Sequence, residues 1–229
     1  MMTIMGYGFK RQAGDDKTGG LNRAQARHAL LVDSYRHAIA DSTVMLIGAG
    51  DGAWCYALAA AGALQVVGIE TDATMVERFG RLPDVGLRER IDLRSADPVE
   101  EIRSEVRAGR QYDVIVLFDL LEKVADLHDL FELIRDLHPR LVVVDGRFVD
   151  TEDPVLWIDR TREAVAGRAR PALVPGRGAV AMVAYDTGFD LDWIDWSVLD
   201  PEVRIGLEDY YVTGLGMRAS FTLTPEITA

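Results

Sequence analysis

The chain has 229 residues, 48% of them hydrophobic and 27% charged, enough for one large globular domain with a buried core. Its formal net charge of -12 argues against tight binding to bare nucleic acid, which needs a basic surface to release counterions, and no Lys/Arg run supplies one locally. Cys55 is the only cysteine, which excludes an intrachain disulfide; no apolar stretch is long enough to span a bilayer, and MMTIMGYGFKRQAGDDKTGG lacks the apolar core of a signal peptide, so a cytoplasmic protein with no membrane partner is expected.

Residues 1–20 are rich in glycine and polar residues without a period, and read as a flexible arm whose Tyr7, Phe9 and Lys10 could fold over a site as a lid. Residues 21–40 read as a helix, with His28, Leu31, Tyr35 and Ile39 at spacings of three and four. An alternation follows. Strands are expected at VMLIG (44–48), QVVGIE (65–70), IDLRS (91–95), YDVIVLF (112–118) and LVVVD (141–145). Helices are expected over 51–61, 73–79, 99–108 and 124–137. The last of these is amphipathic, with Val124, Leu127, Phe131, Ile134 and Leu137 in phase. Continuous apolar strands separated by helices imply a parallel sheet covered on both faces.

The last third changes character. Residues 146–177 are rich in Arg, Pro and Gly, with an amphipathic piece around Trp157 to Val165. GRGAVAMVAYDTGF (176–189) reads as a helix closed by Gly188. LDWIDW (191–196) and MRASFTL (217–223) alternate as strands do, and the connection between them carries Tyr210 and Tyr211. Residues 21–229 therefore read as one domain.

The strongest local signal is VMLIGAGDGAW. A buried strand runs into Gly48, Gly50 and Gly52, and a helix begins at once. Such a loop turns sharply and lets a ligand approach the backbone without meeting a Cβ, while free N–H groups at the helix start face it. Glu70, 22 residues after Gly48, ends the second strand, where an acid can accept hydrogen bonds from both ribose hydroxyls. Together they imply an adenosine-containing cofactor. Gly48-x-Gly50-x-x-Ala53 also satisfies the looser dinucleotide fingerprint, so an NAD(P)-dependent oxidoreductase stays open at this point.

IGAGDG and VVGIETD resemble the first two motifs of the class I S-adenosylmethionine-dependent methyltransferases, SADP resembles the turn after their third strand, and YDVIVLFDLLEKV resembles their fourth motif. GAVAMVAYDTGFDLDWIDW and MRASFTL resemble their last helix and last two strands, so the likeness covers about residues 40–223. The resemblance implies an α/β fold with a seven-stranded Rossmann-like sheet, mostly parallel, its last strand antiparallel beside the fifth, and helices on both faces. It implies S-adenosylmethionine as cofactor. Its ligands would be Gly48, Ala49, Gly50, Gly52, Glu70, Thr71, Ala96, Asp97, Phe118 and Asp119, with Asp97 near the adenine amino group. Two positions depart from the pattern: Leu46 stands where many members carry an acid, and Lys123 where many carry a histidine.

Methyl transfer needs alignment of nucleophile, carbon and sulfur, and a base when the nucleophile is a hydroxyl. Asp119 and Glu122 follow the fourth strand and Asp145 ends the fifth, at the sheet edge where ligands bind in open α/β folds. These three are the catalytic candidates. Either one carboxylate is the general base, or Asp119 and Asp145 share a divalent cation such as Mg2+, with Asp150, Glu152 and Asp153 as further ligands. Trp157, Trp193, Trp196, Tyr210 and Tyr211 would form core, line an acceptor pocket or make a homodimer interface. The expected partner is a small-molecule acceptor, with a sugar or natural-product hydroxyl the favoured target. A dehydrogenase is disfavoured because none of Tyr112, Tyr185, Tyr210 and Tyr211 is followed four residues later by lysine. A non-catalytic cofactor-binding module remains the other rival, and an RNA methyltransferase is disfavoured by charge.

Overall fold

A computed structural model describes residues 17–79, 85–165 and 168–226. The arm expected at 1–20, with Tyr7, Phe9 and Lys10, lies outside them up to residue 16. Residues 17–20 already belong to a helix, α1 (Lys17–Leu31).

Nine strands and seven more helices follow in an alternating order among the described residues. They are α2 (Arg36–Ile39), β1 (Thr43–Ile47), α3 (Ala53–Ala60), β2 (Gln65–Glu70), α4 (Ala73–Val76), α5 (Val85–Arg88) and β3 (Ile91–Ser95). Then come α6 (Pro98–Arg107), β4 (Val114–Phe118), α7 (Leu127–Asp136), β5 (Leu141–Val149), β6 (Leu156–Val165) and β7 (Arg168–Pro175). The chain closes with α8 (Arg177–Asp186), β8 (Phe189–Trp193) and β9 (Leu215–Pro225). Seven strands form one sheet in the order β3-β2-β1-β4-β5-β9-β8. β9 pairs antiparallel with both β5 and β8, and the remaining pairings are parallel. This is the Rossmann-like sheet that the resemblance implies.

The strands are apolar on both faces because both faces are covered. Met45, Ile47, Ile115 and Leu117 pack under α6, α7 and α8, through Ile102, Leu130, Phe131, Ile134 and Val180. Val44, Leu46, Val114 and Val116 pack under α1, α2 and α3, through Leu31, Ile39, Tyr56 and Leu58. The period of two along each strand thus divides one sheet between two cores. α7 begins at Leu127, three residues later than the apolar phase suggests, because the Asp126 carboxylate accepts from the Asp129 N–H and caps it there. α8 ends where expected, with Gly188 at φ 76 just past its last turn.

The region 146–177 differs most from its sequence reading. β5 runs on to Val149, and the amphipathic piece is strand β6, paired antiparallel with β7 in a separate two-stranded sheet. Pro171 and Pro175 hid the second strand. They sit on a two-stranded ribbon whose outer edges need no ladder donors. LDWIDW is also shorter than expected as a strand, since Trp196 leaves the sheet in a 3-10 turn capped by Asp195.

The turn after β1 is built around Gly48. Its φ is 79, and a Cβ there would stand 2.3 Å from the Phe118 carbonyl oxygen at the end of β4. Gly48→Ala is therefore expected to cost about 2 kcal/mol or more, from left-handed strain plus the clash. The midpoint of urea unfolding checks it.

Candidate active site

The C-terminal ends of β1, β2, β4 and β5 converge on one edge of the sheet, the crevice where open α/β folds bind ligands. Glu70 ends β2 with its carboxylate held in place. It accepts from the Gly50 N–H at 2.8 Å, from the Thr71 hydroxyl at 3.1 Å and from the Asp72 N–H at 3.0 Å. The space above Gly50 is open, with nothing within 4 Å of where a Cβ would stand. The loop and its acid thus form a cradle with an oriented carboxylate beside it, which fits the ribose of an adenosine. Not every loop N–H faces outward, however. Those of Gly48 and Ala49 both donate to the Ile69 carbonyl, at 3.0 and 3.1 Å.

The other expected cofactor residues divide by role. Thr71 supports Glu70 through its hydroxyl. Ala96 continues the ladder, its N–H donating to the Glu70 carbonyl at 3.0 Å. Asp97 caps α6, with Oδ1 accepting from the Val99 and Glu100 N–H groups at 3.1 Å, so Oδ2 carries none of the capping bonds. Phe118 is buried, its ring edge-on to Trp54 at 5.0 Å. Leu46 lies fully buried in the sheet's core, so it offers nothing to the cofactor's amino group. Glu70→Ala is expected to weaken S-adenosylmethionine binding about tenfold to a hundredfold, the worth of one or two charge-assisted hydrogen bonds. Titration calorimetry reads that effect, with the melting temperature as a control.

The three catalytic candidates occupy three different environments. Asp145 is sealed: its side chain has 0% exposure. It pairs with Arg27 of α1 and with Arg218 of β9, whose Nε lies 3.3 Å away. The Tyr210 hydroxyl donates to it at 2.9 Å and the Ser220 hydroxyl at 3.1 Å. Burial alone would raise its pKa, but the charges of Arg27 and Arg218 and the Tyr210 bond outweigh that and hold it below the usual carboxylate range. A carboxylate so saturated cannot take a substrate proton.

Asp119 follows β4 in a left-handed backbone conformation, φ 51, that few residues other than glycine, Asn and Asp adopt. Its side chain is 42% exposed and pairs with Arg218. Between Asp119 and Asp145, where a shared divalent cation was one expectation, the structure places the Arg218 guanidinium. Burial would lower the Arg218 pKa, yet Asp145 and Asp119 raise it above its ordinary value. Among the described residues no group of three or more His, Cys, Asp or Glu side chains is arranged to hold a metal. Asp150 and Glu152 lie near Arg177 instead, at 3.8 and 4.0 Å.

Glu122 is different. It sits in the 3-10 turn Leu121–Lys123, against which β7 packs. Its carboxyl is buried, and Oε2 has no hydrogen-bond partner among the described residues. That oxygen lies 3.4 Å from where a Cβ on Gly146 would be. Burial, with the Asp119 charge second, pushes its pKa up to about 7.

Four residues of this cluster carried no functional reading in the sequence: Arg27, Arg218, Ser220 and Trp54. The Arg27 guanidinium lies 5.2 Å from the ring centroids of both Trp54 and Phe118, so α1 covers the site. Arg23, one turn earlier, fastens the same helix to Asp209 at 2.6 Å. Tyr210 and Trp196, offered as core, pocket or interface residues, are core. Their rings stack at 3.8 Å, and the Trp196 indole donates to Ser220 at 3.2 Å. Tyr211 donates to the Trp196 carbonyl at 2.8 Å.

No helix among the described residues is long and apolar enough to cross a membrane. No curated protein matches the chain in sequence. Solved structures match its fold. A putative S-adenosylmethionine-dependent methyltransferase from Listeria monocytogenes is 17% identical with TM-score 0.63, over 89% of this chain and 99% of that one. A methyltransferase of the same description from Mesorhizobium loti is 14% identical with TM-score 0.60, over 89% and 99%. The N-terminal domain of EvdMO1, solved in the presence of S-adenosylhomocysteine and D-fucose, is 15% identical with TM-score 0.65, over 96% and 90%. A family model described as a methyltransferase domain matches residues 22–146, from α1 through the end of the parallel run of β5. With the antiparallel β9, this sets aside the dehydrogenase alternative. The chain belongs to the methyltransferase domain family, the class I, S-adenosylmethionine-dependent methyltransferases.

Proposed function

We propose that this methyltransferase transfers a methyl group to a hydroxyl of a neutral small molecule, a sugar or natural product, with Glu122 as general base. The observation that carries the reading is a buried carboxyl at the catalytic edge of the sheet, one oxygen unpartnered among the described residues, its pKa pushed up to about 7. A base with that pKa is half ionised at neutral pH and matched to proton transfer there.

Bound in the cradle of Gly48, Gly50 and Glu70, S-adenosylmethionine supplies an electrophilic methyl on a sulfonium. The acceptor oxygen bonds to the methyl carbon, the carbon–sulfur bond breaks, S-adenosylhomocysteine leaves, and the hydroxyl proton passes to Glu122 Oε2. Asp119 and Arg218 form the polar wall beside it. Mg2+ has no part in this reading, because Arg27 and Arg218 together already neutralise the two aspartates that would have held it. The net charge of -12 disfavours an anionic acceptor. The fold-level likeness to EvdMO1, solved in the presence of D-fucose, supports a sugar as the first class to try.

The test is transfer of labelled methyl from S-adenosylmethionine to a panel of hydroxylated small molecules, sugars first, with and without EDTA. Turnover that EDTA leaves unchanged, rising with pH to a plateau above about 7, is the expected result. Cofactor binding without transfer to any acceptor would favour a non-catalytic module. EDTA-sensitive turnover would restore the metal.

A further inference from the structure

We propose that Arg27 of α1 and Asp119 clamp the amino acid end of S-adenosylmethionine, Arg27 on its carboxylate and Asp119 on its ammonium. This rests on that cofactor and holds whatever the acceptor. The cofactor's arm ends in an α-amino acid zwitterion, and Leu46, buried in the sheet, stands where the resemblance leads one to expect an acid that helps hold it. Arg27 has no place among the expected cofactor ligands, and Asp119 entered that set only through the resemblance.

Charge is the first argument. Arg27, Asp145, Arg218 and Asp119 form one series of alternating sign. Arg27 Nη2 donates to Asp145 Oδ2, and Arg218 Nη2 lies 3.4 Å from that same oxygen while donating to Asp119 Oδ1 at 2.5 Å. The two inner groups are spent on each other and on Tyr210. The two outer groups have capacity left. Arg27 Nε is buried with no hydrogen-bond partner among the described residues, a costly state for a charged donor. A fork of five donors can hold a second carboxylate beside that of Asp145. Asp119 commits Oδ1 to Arg218, and its side chain is 42% exposed. The series thus ends in a cation on one side and an anion on the other. An α-amino acid carries the two opposite signs on one carbon and closes the ring.

Position is the second argument. The Arg27 guanidinium lies 5.2 Å from the ring centroids of both Phe118, the last residue of β4, and Trp54, in the first turn of α3. It therefore stands between the end of β4 and the helix that follows the glycine loop. Asp119 is the next residue after Phe118, its N–H donating to the Asp145 carbonyl at 2.9 Å. With the ribose on Glu70 at the end of β2 and the adenine toward Asp97 after β3, the amino acid arm runs the other way, across β1 to β4. β2 and β4 are two strand spacings apart, roughly 10 Å. The five single bonds from ribose C5′ to the carboxylate carbon span roughly 6–7 Å when extended, and the ribose ring covers the rest. The carboxylate so arrives where Arg27 meets Phe118, with the ammonium beside Asp119.

The test is titration calorimetry of the full chain with four ligands that differ only in the arm. They are S-adenosylhomocysteine, its 3-aminopropyl analogue without the carboxylate, its 3-carboxypropyl analogue without the ammonium, and 5′-methylthioadenosine without either. Each charge removed from the ligand is expected to weaken wild-type binding about tenfold or more. Arg27→Gln should lose that increment for the two ligands with a carboxylate and bind the other two within about twofold of wild type. Asp119→Asn, whose amide tolerates the left-handed backbone, should lose it only for the two ligands with an ammonium. Selectivity by ligand charge separates contact from fold, since a distorted site weakens all four ligands alike. If Arg27→Gln does not fold, Arg27→Lys keeps a charge for Asp145 but not the fork, and the same selective loss is expected. Wild type that binds the aminopropyl analogue as tightly as S-adenosylhomocysteine would overturn the clamp. So would variants that weaken all four ligands alike, or none, and either result leaves the cofactor in place. Binding of none of the four to wild type would bring down the cofactor with the clamp.

Discussion

Glu122→Gln is expected to lower kcat by about 10²–10⁴, the usual contribution of a positioned general base, and to leave the affinity for S-adenosylmethionine unchanged. The amide keeps the shape of the side chain in its tight place beside Gly146 but cannot accept the proton. A second readout separates chemistry from structure. The wild-type rate rises through the Glu122 pKa of about 7, and that limb of the pH profile should vanish in the variant. The stability effect has the opposite sign. Burial raises the folded-state pKa from 4.5 to about 7, so the ionised form is disfavoured by folding. Wild-type stability should fall as pH rises from 4.5 through 7 and then level off, by an amount on the order of 3 kcal/mol at 1.36 kcal/mol per unit. The variant lacks that slope. At pH 8 it should therefore melt higher than wild type while turning over far more slowly, and urea unfolding at pH 5 and pH 8 measures the difference. A variant that loses both stability and activity at pH 8 would mean that Glu122 holds the turn together and does not take the proton.

Much of this site was legible in the sequence because it rests on local patterns. A strand, three glycines and a helix in direct succession specify the cradle, and the next strand's end specifies Glu70. The positions of Asp119, Glu122 and Asp145 follow from where apolar strands stop. Their roles do not follow, because those depend on burial and on partners far away in sequence. Asp145 and Glu122 read alike as acids after strands. One is surrounded by Arg27, Arg218, Tyr210 and Ser220; the other is buried beside the missing Cβ of Gly146 with one oxygen unpartnered among the described residues. A signal for β9 was present all the same. Arg218 and Ser220 alternate with Ala219 and Phe221 in MRASFTL, and a strand beside β5 must turn one of those sets toward Asp145. Arg23 and Arg27 likewise lie one turn apart on α1, and such a pair has to face something. The β6–β7 ribbon was the least legible element. Its prolines and arginines carry loop composition, and a two-stranded ribbon does not need the apolar alternation of a covered sheet.

Asp145→Ala should be the most destabilising single change at the site, by about 3–5 kcal/mol, the cost of removing one partner from a buried ion pair. Two guanidinium groups converge on this carboxylate, with side chains only 14% and 10% exposed. Without it, Arg218 keeps Asp119, while Arg27 keeps, among the described residues, the faces of Trp54 and Phe118. The Tyr210 hydroxyl also loses an acceptor in a buried site. For a chain of this size, 2–4 °C per kcal/mol puts the drop in Tm at roughly 10 °C. The pH dependence distinguishes this origin from a simple cavity. The folded-state pKa of Asp145 lies below its unfolded value, so its contribution is present above the unfolded pKa near 3.9 and is lost as pH falls through the folded one. The gap between wild type and variant should therefore be widest at neutral pH and close in acid, whereas a cavity would cost the same at both. Arg27→Ala in the same background should then be nearly silent, because the charge that it neutralised is gone. If Arg27→Ala instead costs as much in the Asp145→Ala background as in wild type, then α1 is held over the site by its packing on Trp54 and Phe118 and not by this pair.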